Sequence, residues 1–259
     1  MEKRITVVGL GPGDAALLPP MAREALLRAQ AIVGYKGYIE LVEPEVLAGR
    51  RVLSTGMTGE VERCNAALDL ALEGVETAVV CSGDAGVYAM AGLLLELMEA
   101  RGLFDALDLV VVPGIPALCA AAALLGAPLM HDFAVVSLSD LLTPWEVIER
   151  RLCAAAAADF VVVLYNPRSG RRKSQLPRAL AALRAHKAAS TPVGLVKRAF
   201  RPGQEVLLAT LDTLDPEAVD MQSILVVGNA STRLTGGRML TPRGYAGKYG
   251  LAGDGSAPG

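Results

Sequence analysis

The stretch Ile5-Thr6-Val7-Val8-Gly9-Leu10-Gly11-Pro12-Gly13-Asp14 decides how this chain reads. A short apolar, β-branched run feeding a glycine-rich turn predicts a buried strand that enters a strand–loop–helix unit. The turn has the outline of a nucleotide-binding loop and lacks its chemistry. The dinucleotide fingerprint G-x-G-x-x-G needs a third glycine where Asp14 stands, and Pro12 has no N–H to offer a phosphate. A carboxylate at the mouth of the loop also repels a pyrophosphate. The loop therefore suits a ligand without phosphates, and a cationic one in particular. The plain alternative is a tight strand-to-helix connection with no ligand.

Working outward, the first half predicts strands at 4–9, 31–34, 51–53, 76–81 and 108–112, all rich in Val, Ile and Leu as in a sheet covered on both faces. Helices are predicted over 18–30, 60–73 and 87–101. Pro113-Gly114 breaks the pattern and marks a domain boundary. Beyond it come a small-residue helix over 116–125, strand 133–137, helix 144–157, strand 160–165, helix 175–187, and strands 192–196, 205–209 and 223–227. The close spacing of strands near the end predicts a hairpin or antiparallel edge. The fold class is α/β, with two α/β domains in series: 1–113, 114–240, and a C-terminal extension over 241–259 whose last ten residues, Gly250 to Gly259, read as disordered.

A second glycine turn, Cys81-Ser82-Gly83-Asp84-Ala85-Gly86-Val87-Tyr88, also follows a predicted strand. Asp84 is placed either to cap the following helix or to contact a ligand that Gly83 and Gly86 admit to the backbone. A third turn, Val112-Pro113-Gly114-Ile115-Pro116-Ala117, follows the fifth strand. Ligands of open parallel sheets bind outside the carboxyl ends of strands, so three such turns on one edge predict a site there.

Composition narrows the classes. The chain is 52% hydrophobic with a mean hydropathy of +0.39, yet no apolar run approaches the ~20 residues of a membrane span. No basic-then-apolar leader opens it, so the expectation is a cytoplasmic protein without a signal peptide. Cys64, Cys81, Cys119 and Cys153 are scattered and read as free buried thiols, and two histidines, His131 and His186, are too few for a His-rich metal site. No metal is expected. Residues 1–159 carry 11 Lys/Arg against 21 Asp/Glu, while residues 160–259 carry 14 against 6. That asymmetry points the second half at an anionic partner. Nucleic acid is disfavoured, because aromatics make up only 4% and no base-stacking stripe is present.

These motifs, in this order and spacing, resemble the tetrapyrrole methyltransferases, S-adenosylmethionine-dependent enzymes of corrinoid and sirohaem synthesis. The resemblance covers residues 4–230. Leu129-Met130-His131-Asp132-Phe133, Ser137 to Trp145, Leu164-Tyr165-Asn166-Pro167-Arg168-Ser169 and Thr241-Pro242-Arg243-Gly244-Tyr245 are similar to the branch that methylates C17 of the macrocycle with ring contraction. The reaction implied is precorrin-3B to precorrin-4. The cobalt-containing anaerobic counterpart, acting on cobalt-factor III, another corrin position and sirohaem synthesis stay open as alternatives. Ala85 departs from the Gly-Asp-Pro of many family members.

The resemblance implies a cofactor cleft between the domains, lined by Pro12, Gly83, Asp84, Val87, Pro116, Ala117, Tyr165 and Asn166. It also implies a homodimer, with no nucleic acid or membrane partner. S-adenosylmethionine has no phosphates, and its sulfonium and ammonium favour nearby carboxylates, which agrees with Pro12 and Asp84. The basic run Arg168-Ser169-Gly170-Arg171-Arg172-Lys173, with Lys197, Arg198 and Arg201, then has a polycarboxylate tetrapyrrole to bind. Arg168, Arg171 and Arg172 are the substrate candidates, since cations at a helix start oppose the macrodipole. A solvated surface is their alternative. Ring contraction needs a base for a hydroxyl proton, for which Asp84, His131 and Asp140 are the candidates. A nicotinamide oxidoreductase is the rival outside the family, but Glu40 and Glu43 are badly placed for the acidic residue it requires.

Overall fold

The computed structural model describes residues 3–250. The predicted disorder at the C-terminus, apart from Gly250, lies outside the described residues. Two compact units divide the chain: the first runs to Ala120 and includes Ala199–Pro202, and the second takes Ala121–Arg198 and the chain from Gly203 on.

The first unit is built from β1 (Arg4–Gly9), α1 (Pro20–Arg28), β2 (Ala31–Tyr35), α2 (Lys36–Ile39), α3 (Pro44–Leu47), β3 (Arg51–Thr55), α4 (Glu60–Leu72), β4 (Thr77–Cys81), α5 (Met90–Arg101) and β5 (Asp108–Val112). Its five strands form a parallel sheet in the order β3-β2-β4-β1-β5. Side chains alternate across the sheet with period two. Ile5, Val7, Val33, Val79 and Cys81 face α4 and α5, whereas Val8, Ile32, Ala78 and Val80 face α1, α2 and α3. Both faces are covered, which explains the near-continuous apolar strands. The helix after β1 and the helix after β4 lie on opposite faces, so these adjacent strands form the switch point at whose carboxyl end ligands bind in such sheets.

Helix α6 (Ala117–Leu125) contains the division between the units. The boundary expected at Pro113-Gly114 lies instead within the first unit. That segment goes with the first unit because the Gly114 N–H is bonded to Asp84 and its Cα packs on Gly9 and Gly83.

The second unit holds β6 (Gly126–Ala127), β7 (Phe133–Ser137), α7 (Trp145–Ala157), β8 (Val161–Tyr165), α8 (Gln175–Arg184), β9 (Pro192–Lys197), β10 (Glu205–Thr210), β11 (Ser223–Val227), β12 (Arg233–Thr235), β13 (Arg238–Leu240) and α9 (Tyr245–Tyr249). Its main sheet runs β10-β9-β11-β8-β7, with β7 and β8 parallel and the remaining pairs antiparallel. The expected antiparallel edge is the β9–β10 hairpin. Helices α7 and α8 pack one face of this sheet through Ile148, Leu152, Leu180 and Leu183. Trp145 ties the two helices: its Nε1 donates to Glu149 Oε2 at 2.9 Å, and Arg178 lies 4.5 Å over its ring. On the other face Gly194 admits Leu125, whose side chain stands 2.5 Å from where a Cβ would be.

Two expectations need correction. The four thiols are free but not all buried: Cys64 and Cys81 are, Cys153 is half-buried and Cys119 is exposed on α6, a helix so uniformly small and apolar that its sequence marks no buried stripe. The helix predicted from residue 87 begins at Met90, because Tyr88 takes a left-handed φ of 51°. Among the described residues no helix is long and apolar enough to cross a membrane.

Candidate active site

Three loops meet at the carboxyl ends of β1, β4 and β5 in the first unit. The first two are stitched as a small antiparallel bridge: the Gly11 N–H donates to Gly83 O at 3.0 Å and the Gly83 N–H returns to Gly11 O at 2.7 Å. Leu10 N–H donates to Cys81 O at 2.8 Å. The third loop closes in on both. A Cβ on Gly114 would stand 2.1 Å from Gly83 O and 2.7 Å from Gly9 C, so only glycine fits. Gly83 in turn faces Pro116 and Ala117, at 3.8 and 3.6 Å from a Cβ position to Cα and N respectively.

Asp84 is the clasp of this rim. Its Oδ1 accepts the N–H groups of Gly86 (2.8 Å) and Val87 (3.1 Å), and its Oδ2 accepts that of Gly114 (3.1 Å). Of the two roles open to it by sequence, the helix cap is not the one it takes, since α5 starts six residues later. Asp14 does cap a helix: its Oδ1 accepts from Ala16 N at 2.9 Å at the head of a short 3-10 turn, Ala15–Leu17. The consequence for ligands is direct. The N–H groups of Leu10, Gly11, Gly83 and Gly114 are all consumed within the rim, and Pro12 has none, so these five positions offer nothing to a phosphate.

The structure thus brings Pro12, Gly83, Asp84, Val87, Pro116 and Ala117 onto one rim. Two residues absent from that set join it. Arg201 donates through Nε to Pro12 O and through Nη2 to Ser82 Oγ. Arg201 is marked by sequence only as one of the basic residues of the second half; its bonds to Pro12 and Ser82, across 189 and 119 residues, have no local signal. Burial lowers the pKa of Arg201, with Tyr38 opposing.

The second unit gathers its own polar cluster at the carboxyl ends of β7 and β8. Asn166, at a left-handed φ of 50°, donates through Nδ2 to Ser137 Oγ at 3.0 Å. Arg172 donates to Asn166 O (3.1 Å) and Ser139 Oγ (3.2 Å), and Asp140 accepts from Gln175 Nε2 at 2.7 Å. Tyr165 ends β8 beside Ser137, with its carbonyl accepting from Leu138 N at 2.9 Å. Burial lowers the pKa of Arg172, with Asp140 opposing.

The other predicted residues fall elsewhere. His131 precedes β7 whereas Asp140 follows it, so roughly 15 Å of strand separates them. His131 instead shares an open depression with Leu129, Met130, Asp132 and Arg243. Its Nδ1 accepts the Asp132 N–H at 2.8 Å, so it is not the donor of an ion pair to the Asp132 carboxylate 3.4 Å away. Arg168, expected nearest the substrate, is bonded to Glu217 and Pro216 O, with only 15% of its side chain exposed. Arg171 is exposed. Among the described residues no three His, Cys, Asp or Glu side chains cluster as metal ligands.

A family model described as Tetrapyrrole (Corrin/Porphyrin) Methylases matches residues 4–215. The chain belongs to the tetrapyrrole methylases. It is 51% identical over 241 residues to a probable cobalt-factor III C(17)-methyltransferase of Salmonella typhimurium, a match covering 93% of this chain and 99% of that one. It is 46% identical over 253 residues to a cobalt-factor III methyltransferase of Priestia megaterium, covering 97% of this chain and 47% of that longer protein. The crystal structure of the methyltransferase CobJ shares its fold with a TM-score of 0.88 at 40% identity, over 92% of this chain and 99% of that one. Tetrapyrrole methylases use S-adenosylmethionine, and this one is a C-methyltransferase of cobalamin biosynthesis.

Proposed function

We propose that the chain transfers a methyl group to C17 of cobalt-factor III, coupled to contraction of the macrocycle. The observation that carries the position is its identity, over nearly the full length of both chains, to a relative named for C17. The cobalt belongs to the substrate. Precorrin-3B, the metal-free form expected from the sequence, is kept as the alternative.

For the cofactor we propose the rim of the first unit, with Pro12, Gly83, Asp84, Val87, Pro116 and Ala117 as its lining. The donor set supports this: the N–H groups of Leu10, Gly11, Gly83 and Gly114 are already bonded within the rim, which suits a ligand that has no phosphate. When bound, S-adenosylmethionine supplies an electrophilic methyl on a charged sulfur. The chain's task is then alignment, because holding two reactants in line contributes much of the rate in such transfers. The clasp by Asp84 and the glycine contacts tie the three loops to one another, which serves that task. Tyr165 and Asn166 are proposed as the second unit's contribution to cofactor binding.

For the substrate's carboxylates we propose Arg172, together with Arg171. Arg172 is held by neutral acceptors and keeps its charge to offer, whereas Arg168 is committed to Glu217. For the hydroxyl proton that ring contraction would release from the alternative substrate, precorrin-3B, we propose Asp140, which shares the edge with Asn166 and Arg172. Asp84 has both oxygens bonded to backbone, and His131 lies at the opposite end of β7. A cytoplasmic homodimer is part of this reading.

Anaerobic incubation with cobalt-factor III and methyl-labelled S-adenosylmethionine tests the proposal. Carbon NMR of the product should place the label on C17 of a contracted ring. Label on another carbon rejects the position, and transfer to precorrin-3B alone assigns the alternative substrate.

A further inference from the structure

Arg201 has a stereochemistry that loop-holding alone does not explain. A guanidinium presents two edges: one formed by Nε–H with the inner Nη2–H, the other by Nη1–H with the outer Nη2–H. Arg201 uses the first edge on the rim, donating to Pro12 O and, at 2.6 Å, to Ser82 Oγ. The second edge makes no hydrogen bond among the described residues. No side-chain nitrogen or oxygen there is both buried and unsatisfied, so Nη1 is not fully enclosed.

The local sequence is shaped around this placement. The side chain lies over Gly13, where a Cβ would stand 2.5 Å from Nε, so the last glycine of the opening motif is the space Arg201 fills. Arg198 and Phe200, just before it, take left-handed φ values of 47° and 56°. Non-glycine residues held there are strained, and such strain persists where the surroundings enforce it. The charge is also unmatched. Lys197 and Arg198 pair with Glu205 and Asp220, but among the described residues Arg201 has only neutral acceptors.

We propose that Arg201 anchors a ligand carboxylate on the rim of the first unit, gripping it in bidentate fashion through its Nη1–Nη2 edge. This rests on the functional reading above, which supplies two sources of that one chemistry: an acetate or propionate of the macrocycle, and the amino-acid carboxylate of the cofactor. The fork matches two carboxylate oxygens in a way that lysine does not.

The test uses Arg201→Gln, Arg201→Lys and Ser82→Ala in the full chain, with melting temperature as the control for folding. Three dissociation constants are measured: for cobalt-factor III by absorbance, for S-adenosylhomocysteine, and for methylthioadenosine, which has the adenosine and thioether but no carboxylate. Arg201→Gln should weaken one carboxylate ligand about tenfold or more. Loss confined to the macrocycle assigns the carboxylate to the substrate. Loss for S-adenosylhomocysteine, with methylthioadenosine unchanged, assigns it to the cofactor. Arg201→Lys should recover only part of the affinity, and Ser82→Ala should keep most of it.

Equal loss for S-adenosylhomocysteine and methylthioadenosine, or a folded Arg201→Gln that binds every ligand as the parent does, overturns the proposal. So does Ser82→Ala reproducing the full effect, which would make Arg201 a loop clasp. If the parent itself fails to bind cobalt-factor III, the functional reading falls, while the comparison of the two adenosine compounds still decides the role of Arg201.

Discussion

Asp84 and Gly114 are joined by a hydrogen bond of 3.1 Å from the Gly114 N–H to Oδ2, which fastens the loop after β5 to the loop after β4. The other oxygen, Oδ1, holds the N–H groups of Gly86 and Val87. An amide cannot reproduce this arrangement. Asp84→Asn keeps Oδ1 but turns an NH2 group toward the Gly114 N–H, leaving that donor unsatisfied at a cost of ~1–3 kcal/mol. Thermal melting should show a fall of about 2–4 °C per kcal/mol in a chain this long, together with weaker S-adenosylhomocysteine binding. An Asn variant as stable and as tight-binding as the parent would show that the clasp is dispensable.

The glycine contacts predict a sharper effect. Gly114→Ala drives a methyl group into the backbone of Gly83 and Gly9, where no flexible side chain can yield. Calorimetry should find S-adenosylhomocysteine binding abolished and the melting temperature reduced. Gly92→Ala is the matched control, since nothing lies within 4 Å of its Cβ position on α5. That change should be neutral or stabilising by up to ~1 kcal/mol.

The arginines separate into bound and available. Arg168→Ala should lower stability by removing its bonds to Pro216 O and Glu217, and leave tetrapyrrole affinity largely intact. Arg172→Ala should cost ~1.5–3 kcal/mol of tetrapyrrole affinity, with Arg172→Lys recovering part of it. Added salt should weaken the macrocycle more than the cofactor, because partly exposed charge pairs are screened. Titration of both variants with the macrocycle checks the ranking, and the opposite order would contradict it.

Cys64 predicts an alkaline limb. Burial pushes its thiol up from the ordinary 9.0 to about 11, with Arg63 opposing. A raised pKa means that the folded state holds the proton more tightly, so the contribution is complete below about pH 9 and is lost as pH climbs toward 11. Melting temperature should therefore fall across that window, less steeply in Cys64→Ala. Cys81, pushed by burial to about 12, carries the same trend higher. A flat profile from pH 9 to 11 would count against it.

The rim was legible because glycine, proline and strand-end position carry meaning locally, and the parallel order of β4, β1 and β5 brings their loops together. The second unit's cluster was legible only in part. Tyr165 and Asn166, at the end of β8, and Arg172 just beyond are marked by sequence for cofactor and substrate respectively, but Ser137 bonds Asn166, Ser139 bonds Arg172 and Gln175 bonds Asp140 through side chains that no spacing announces. His131 and Asp140 are both candidate bases by sequence, and β7 between them puts them at opposite ends of that strand. Strands β6, β12 and β13, two or three residues long, are too short to show a period of two. Arg168 appeared available because its partners, Pro216 and Glu217, lie 48 and 49 residues away.

The most direct measurement is calorimetric titration of the parent protein with S-adenosylhomocysteine and, separately, with NADH. One strong isotherm is expected, for S-adenosylhomocysteine, with a micromolar dissociation constant corresponding to about −8 kcal/mol, and none for NADH. Tight NADH binding, or a folded protein that ignores S-adenosylhomocysteine, would contradict that expectation.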